Sequence, residues 1–215
     1  MKICGNTSLD DARLAVDAGA DALGFIFAPS PRQMTAEQVA AITGYLPDFI
    51  EKIGVFVDAS PEVMVATARR CGLTGVQLHA DARAEVPARL RKELGGGLRI
   101  LRVVHFGVEA AEQAGGYAAD QNVDGVLVDS RTATAVGGTG IAYDWNEAGR
   151  TVFGGGAARL VAAGGLNPEN VAEAIRLLRP WGVDVASGVE VSPGRKDPEK
   201  VRAFVAQARA AGGVD

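Results

Sequence analysis

Two stretches decide how this chain folds: Arg159-Leu160-Val161-Ala162-Ala163, which runs into Gly164-Gly165, and Val183-Asp184-Val185-Ala186, which runs into Ser187-Gly188. Each is a short, mostly apolar run that stops at small residues. Neither alternates apolar with polar in the way of a strand with one wet face, so both read as strands covered on two sides. Between them Asn167-Pro168-Glu169 marks a helix start: a capping side chain, a proline at the first helical position and an acid against the helix dipole. Strand, helix, strand in that order is one unit of a parallel sheet.

Outward from that unit the rhythm repeats. Lys2-Ile3-Cys4, Ala22 to Phe27, Lys52 to Val57, Gly75 to Leu78, Leu98 to Val104 and Gly125 to Asp129 bring the candidate strands to eight. Ser60-Pro61-Glu62 and Asp197-Pro198-Glu199 repeat the helix-start signature, and Thr35 with Gln38 forms a capping-box pattern. Gly19, Gly72 and Gly182 stand before the second, fourth and eighth strands, where a left-handed residue ends a helix. The weakest unit is Val108 to Ala119, since Gly115-Gly116 costs about 1 kcal/mol per glycine inside a helix, and a short or irregular helix is expected there. Eight units of roughly 27 residues predict an α/β fold, a single (β/α)8 TIM barrel filling residues 1–215 as one domain, with an open doubly wound sheet as the alternative.

Composition narrows the function. The chain has 215 residues, 47% hydrophobic and 22% charged, which suits a packed globular domain with no low-complexity segment to set aside. A net charge of −4 with scattered Lys and Arg offers no basic stripe, so nucleic acid is not an expected partner. The longest apolar stretch, Ala22 to Ala28, is too short to cross a bilayer and the start carries no signal-peptide pattern, so a cytoplasmic protein without membrane contact is expected. In that compartment Cys4 and Cys71 read as free thiols, and without His clusters nearby they do not suggest a metal. The oligomeric state stays open between monomer and homodimer.

In a barrel of this kind the chemistry collects at the carboxyl ends of the strands. Cys4 ends the first strand, Arg32 lies in the Pro-punctuated loop after the second, His79 follows the fourth and Asp129 ends the sixth. Gly164-Gly165 and Ser187-Gly188 follow the seventh and eighth, the pair of loops where barrels bind phosphate because glycine lets backbone N–H groups approach the anion. Each has a plainer reading. The glycines could only make tight turns, Cys4 could be a small core residue, Arg32 a surface cation, and His79 and the helical Cys71 structural groups without a catalytic role. Asp129 is harder to dismiss, because a carboxylate after Gly125-Val126-Leu127-Val128 must be solvated or paired. Strands one and six lie three steps apart around a ring of eight, so Cys4 and Asp129 could face each other across a ligand.

The residues also resemble a known family. Lys2-Ile3-Cys4-Gly5, Gly24-Phe25-Ile26-Phe27 with Ser30-Pro31-Arg32, Gly54-Val55-Phe56-Val57 and Val76-Gln77-Leu78-His79 are similar to segments of phosphoribosylanthranilate isomerase. So are Leu127-Val128-Asp129-Ser130, Gly137-Gly138-Thr139-Gly140 with Asp144-Trp145, Ala163-Gly164-Gly165-Leu166, and Ser187-Gly188-Val189-Glu190 through Pro193-Gly194 and Lys196-Asp197. The resemblance runs end to end. It implies an isomerase of tryptophan biosynthesis, with Cys4 as general base, Asp129 as general acid, Arg32 near the anthranilate ring, and the loops at Gly164-Gly165 and Ser187-Gly188 holding a substrate phosphate. Ile141 stands where the family often has lysine and Tyr143 where phenylalanine is usual.

The implied reaction is an Amadori rearrangement of N-(5-phosphoribosyl)anthranilate to 1-(o-carboxyphenylamino)-1-deoxyribulose 5-phosphate. It needs a proton given to the ribose ring oxygen and another taken from C2′, and no cofactor or metal is expected. The working forms, thiolate and neutral carboxylic acid, reverse what ordinary values of about 8.5 and about 3.9 favour. A raised Asp129 and a thiolate favoured by substrate or neighbouring dipoles are therefore expected. Two rival readings are the related histidine-pathway isomerase, which uses aspartates on two strands, and a non-catalytic phosphate-binding barrel.

Overall fold

A computed structural model describes residues 1–79, 83–130, 143–155 and 159–212. Its eight parallel strands close into a barrel in sequence order, the last pairing with the first: β1 Lys2–Ile3, β2 Ala22–Ile26, β3 Glu51–Phe56, β4 Gly75–Leu78, β5 Arg99–His105, β6 Gly125–Asp129, β7 Leu160–Ala162 and β8 Gly182–Val185. The helices that return the chain between them are α1 Leu9–Ala18, α2 Ala36–Thr43, α3 Pro61–Cys71, α4 Val86–Leu94, α5 Ala110–Ala119, α6 Trp145–Thr151, α7 Val171–Leu178 and, after β8, α8 Pro198–Gly212. A small antiparallel hairpin, β9 Glu190–Ser192 with β10 Arg195–Lys196, stands between β8 and α8.

The local signals act where the side chains allow. Ser60 accepts from the Val63 N–H, Thr35 and Gln38 cap each other reciprocally, and Asp197 accepts from the N–H groups of Glu199 and Lys200. Asn167 also accepts from two backbone N–H groups, those of Glu169 and Asn170, but this closes a separate turn and α7 begins only at Val171. Gly19 and Gly72 end their helices at φ 96° and 56°. Gly182 does not. The left-handed residue after α7 is Arg179, at φ 46°, and Gly182 opens β8. The helix expected to be short or irregular is ten residues long, because its glycines lie on an open face where packing asks for no side chain.

Apolar residues fill the space between strands and helices, with Phe25, Leu23, Ile100, Val76 and Phe204 fully buried. Inside the barrel a small apolar plug of Val103, Leu127, Val161 and Ala163 occupies the side of β5 to β7. The opposite side is polar. Lys2 of β1 donates to Asp184 of β8 at 2.8 Å and to Gln77 of β4 at 2.9 Å, all three side chains being buried. This polar interior forms the floor beneath the carboxyl-end mouth.

Candidate active site

At that mouth lies a cavity of about 460 Å³ whose wall includes Cys4, Arg32, Gln77, His79, Asp129 and Asp184. A smaller cavity of about 150 Å³ opens at the other end of the barrel, beside Met1, Asp21 and Trp181. Only the first has the thiol, the carboxyl and the arginine together, and strand direction explains why. Cys4 follows β1 and Asp129 ends β6, so a parallel barrel delivers both to one rim.

Cys4 fits because β2 carries glycine beside it: a Cβ added to Gly24 would stand 2.5 Å from the Cys4 Sγ. The thiol is buried, and burial pushes it above its ordinary value although Lys2 and Lys196 pull the other way. Without substrate, the expected preference for the thiolate is thus absent; desolvation of the anion outweighs the nearby cations. Asp129 behaves as expected. Burial and then the Asp184 carboxylate raise it from 3.8 to about 7, against the Ser130 N–H and Lys2.

Arg32 is buried and already has a carboxylate partner. Its Nε donates to both carboxylate oxygens of Glu190, at 2.9 and 3.1 Å, and Nη2 donates to Oε2 at 2.6 Å. Glu190 also accepts from Lys196 at 3.0 Å, and Lys196 donates to the Cys4 carbonyl at 2.5 Å. Burial raises Glu190, but its bonds from Arg32 and Lys196 more than offset this and hold it below the ordinary range. The hairpin therefore ties the loop after β2 to the end of β1.

The last two loops meet. Gly164 and Gly165 both take positive φ, 80° and 69°, and a Cβ on Gly164 would stand 2.3 Å from the Ser130 nitrogen. Ser187–Val189 forms a single 3-10 turn, and Gly188 packs so closely that a Cβ would lie 1.9 Å from the Leu166 oxygen. Gly164, Gly165 and Gly188 thus each have a conformational or steric reason to be glycine.

His79 reaches the cavity wall and packs against His105 at 5.9 Å between ring centres, whereas Cys71 lies in α3 and donates to the Ala36 carbonyl. Gly137 to Gly140 and Ile141 lie outside the described residues. Sequence reading alone missed Lys2, Gln77, Asp184, Glu190 and Lys196 as site groups. Asp184 had the same signal as Asp129, a carboxylate inside an apolar strand, while Glu190 and Lys196 gain meaning only when the hairpin folds back on Arg32. Tyr143 stacks on Phe106 with ring centres 4.8 Å apart, and its buried hydroxyl has no hydrogen-bond partner among the described residues.

A closed barrel whose mouth sets a thiol and a carboxyl of raised affinity for protons around one small-molecule cavity is organised to move protons on a bound ligand, which places the chain among the acid–base barrel enzymes. Comparison with known proteins narrows the class. A model of the N-(5'phosphoribosyl)anthranilate (PRA) isomerase family matches residues 1–207, and the chain belongs to that family. It is an isomerase of tryptophan biosynthesis.

The N-(5'-phosphoribosyl)anthranilate isomerase of Citrifermentans bemidjiense is 44% identical over 210 residues, covering 97% of this chain and 96% of that one. That of Trichlorobacter lovleyi is 42% identical over 212 residues, covering 98% of each. Among solved structures, the Thermus thermophilus phosphoribosyl anthranilate isomerase superposes with a TM-score of 0.83 at 34% identity, covering 97% of this chain and 98% of that one. A phosphoribosyl anthranilate isomerase in complex with reduced 1-(o-carboxyphenylamino)-1-deoxyribulose 5-phosphate superposes with a TM-score of 0.80 at 33% identity, covering 97% of both chains.

Proposed function

We propose that Cys4 and Asp129 perform the Amadori rearrangement of N-(5'-phosphoribosyl)anthranilate as general base and general acid. The observation that carries this reading is their presence in the wall of one cavity, with Asp129 raised to about 7. At that value about half of the Asp129 carboxyls hold a proton at neutral pH, against roughly 0.1% for an ordinary aspartate. Asp129 gives this proton to the ribose ring oxygen as the C1′–O bond opens, and the Cys4 thiolate takes the proton from C2′. Loss of that proton turns the protonated imine into an enolamine, which becomes the aminoketose as C1′ takes up a proton and the C2′ hydroxyl gives one up.

Arg32 receives the anthranilate carboxylate. Glu190 holds its Nε and Nη2 edge, and among the described residues Nη1 has no acceptor, which leaves that nitrogen for the ligand. The substrate phosphate sits between Gly164-Gly165 and Ser187-Gly188 on backbone N–H groups, a role supported by the close approach of the two loops. The chain acts as one barrel domain in the cytoplasm, as monomer or homodimer, without nucleic-acid or membrane partners. Among the described residues no helix is long and apolar enough to cross a membrane. The test is to mix the protein with N-(5'-phosphoribosyl)anthranilate and follow the loss of anthranilate fluorescence. No loss of signal would overturn the activity, and phosphate density away from the two loops in a soaked crystal would overturn the anion site.

A further inference from the structure

The barrel floor holds a charge pair that packing does not require. Lys2 and Asp184 bond at 2.8 Å with side chains only 6% and 10% exposed, and Gln77 takes a second proton of the ammonium at 2.9 Å. A buried ion pair is weak evidence for stability, because desolvating both ions cancels much of their attraction, and apolar replacements of similar volume do as well or better. The side of the barrel interior by β5 to β7 shows the apolar solution, in Val103, Leu127, Val161 and Ala163. The pair must therefore be read by its position.

That position is beneath both reacting groups. Lys2 opens β1 two residues before Cys4, so both side chains point into the barrel, and the ammonium pulls the thiol down against the effect of burial. Asp184 and Gln77 line the same cavity as Cys4 and Asp129. We propose that Lys2 and Asp184 form one positioning device for the acid–base couple, the ammonium stabilising the Cys4 thiolate and the carboxylate keeping the Asp129 proton in place. The inference rests on the roles proposed for Cys4 and Asp129.

The other charges around the couple do not duplicate this arrangement. Cys4 also feels Lys196 and Arg32, but both are tied to Glu190, whose carboxylate opposes their charge. Asp129 faces the Ser130 N–H and the neutral Tyr143, and its register neighbour on β5 is His105. Asp184 is the anion next to it, and it raises Asp129 while Lys2 lowers Cys4. Either charge alone would help one member and harm the other. Lys2 by itself would draw the proton off Asp129, and Asp184 by itself would hold the proton on Cys4. In the bonded pair Lys2 weighs more than Asp184 on Cys4, and Asp184 weighs more than Lys2 on Asp129, so the pair serves both.

The measurement is the rate at which iodoacetamide alkylates Cys4 against pH, in a Cys71→Ser background, with kcat/KM followed in parallel. Lys2→Gln should slow alkylation at pH 7 about tenfold and move the profile up by about one pH unit. Lys2→Arg, which keeps the charge, should restore most of the rate. Asp184→Asn should shift alkylation the other way, making Cys4 react several-fold faster at pH 7, while the rising limb of kcat/KM moves to lower pH because Asp129 loses its proton more easily. A structural role alone would leave the alkylation profile in place, or shift it in the same direction in both variants; either result overturns the proposal. If Lys2→Gln does not fold, the two shifts in Asp184→Asn decide the matter. Alkylation does not depend on Cys4 being the base, so loss of the base assignment in a Cys4→Ala assay would be seen separately.

Discussion

Gly24 and Cys4 occupy one space: a Cβ on Gly24 would lie 2.5 Å from the Cys4 Sγ and 3.0 Å from its Cα. The second contact is with backbone, so rotating the thiol away does not relieve it. Gly24→Ala should destabilise the protein by about 1–3 kcal/mol through overpacking and lower kcat by displacing Cys4. Gly115→Ala, on the open face of α5, should stabilise by about 1 kcal/mol with kcat unchanged. Denaturant unfolding and the fluorescence assay on both variants check the contrast. Equal effects would show that crowding at Cys4 is not what Gly24 prevents.

Gly188 bears on binding rather than on the proton transfers. Its missing side chain lets the loop after β8 rest on the Leu166 carbonyl, in the loop after β7. Gly188→Ala must push one loop off the other, and should raise KM about tenfold or more, which corresponds to about 1.4 kcal/mol of lost binding. Inorganic phosphate should protect the wild type against thermal unfolding and fail to protect this variant. Unaltered protection would remove the anion from these loops.

Much of this was legible in the sequence. Eight apolar runs and three Pro-marked helix-start patterns are local features, and a closed barrel is the fold that lets all of the runs be buried in turn. Cys4, Asp129, Arg32 and the two glycine loops could be placed at one rim because parallel strands put every carboxyl end on the same side. Contacts between side chains distant in sequence were not legible. Lys2 and Asp184 are separated by 182 positions, and nothing local marks them as partners. Glu190 was visible only as part of a motif, and its hold on Arg32 depends on how the hairpin packs. The direction of the Cys4 shift was also missed, since how much water a thiol loses is a property of the packed mouth.

The raised Asp129 carries a stability cost with a defined pH window. Its folded value of about 7 lies above the 3.8 of the unfolded chain, so the fold binds the proton more tightly and stability falls as pH rises from about 4 to about 7. Above pH 7 the cost is complete, on the order of 4 kcal/mol. Asp129→Asn should therefore melt at a higher temperature than wild type at pH 8, and the gain should fade as the pH is lowered to 4. A gain independent of pH would mean that Asp129 is not held protonated by the fold.

The same values shape the rate. With Asp129 at about 7 and the Cys4 thiol above its ordinary value, the couple holds one proton mainly between these two limits, and the working arrangement is a minor form of that state. kcat/KM should rise as pH passes about 7 and fall only beyond the ordinary thiol range. A rising limb near pH 4 would contradict the raised carboxyl.

Glu190 fixes the Nε and Nη2 edge of Arg32. Arg32→Ala should raise KM about tenfold, and Arg32→Lys should recover little, because lysine cannot keep a two-point hold on Glu190 and still offer a nitrogen to the ligand. Glu190→Gln leaves Arg32 and Lys196 without their anion and should cost about 3–5 kcal/mol in stability. Steady-state kinetics and thermal melts of the three variants check this. Unchanged KM in both Arg32 variants would detach Arg32 from the substrate.

The most direct measurement is kcat for N-(5'-phosphoribosyl)anthranilate, read by loss of anthranilate fluorescence, in Cys4→Ala, Cys4→Ser and Asp129→Asn. Cys4→Ala and Asp129→Asn should each lose at least ~10² in kcat with substrate affinity largely kept, the range expected when one acid or base is removed. Cys4→Ser should lose nearly as much as Cys4→Ala, since a hydroxyl supplies almost no base at neutral pH. A near-wild-type kcat in either Cys4→Ala or Asp129→Asn would contradict the assignment of base and acid to these two residues.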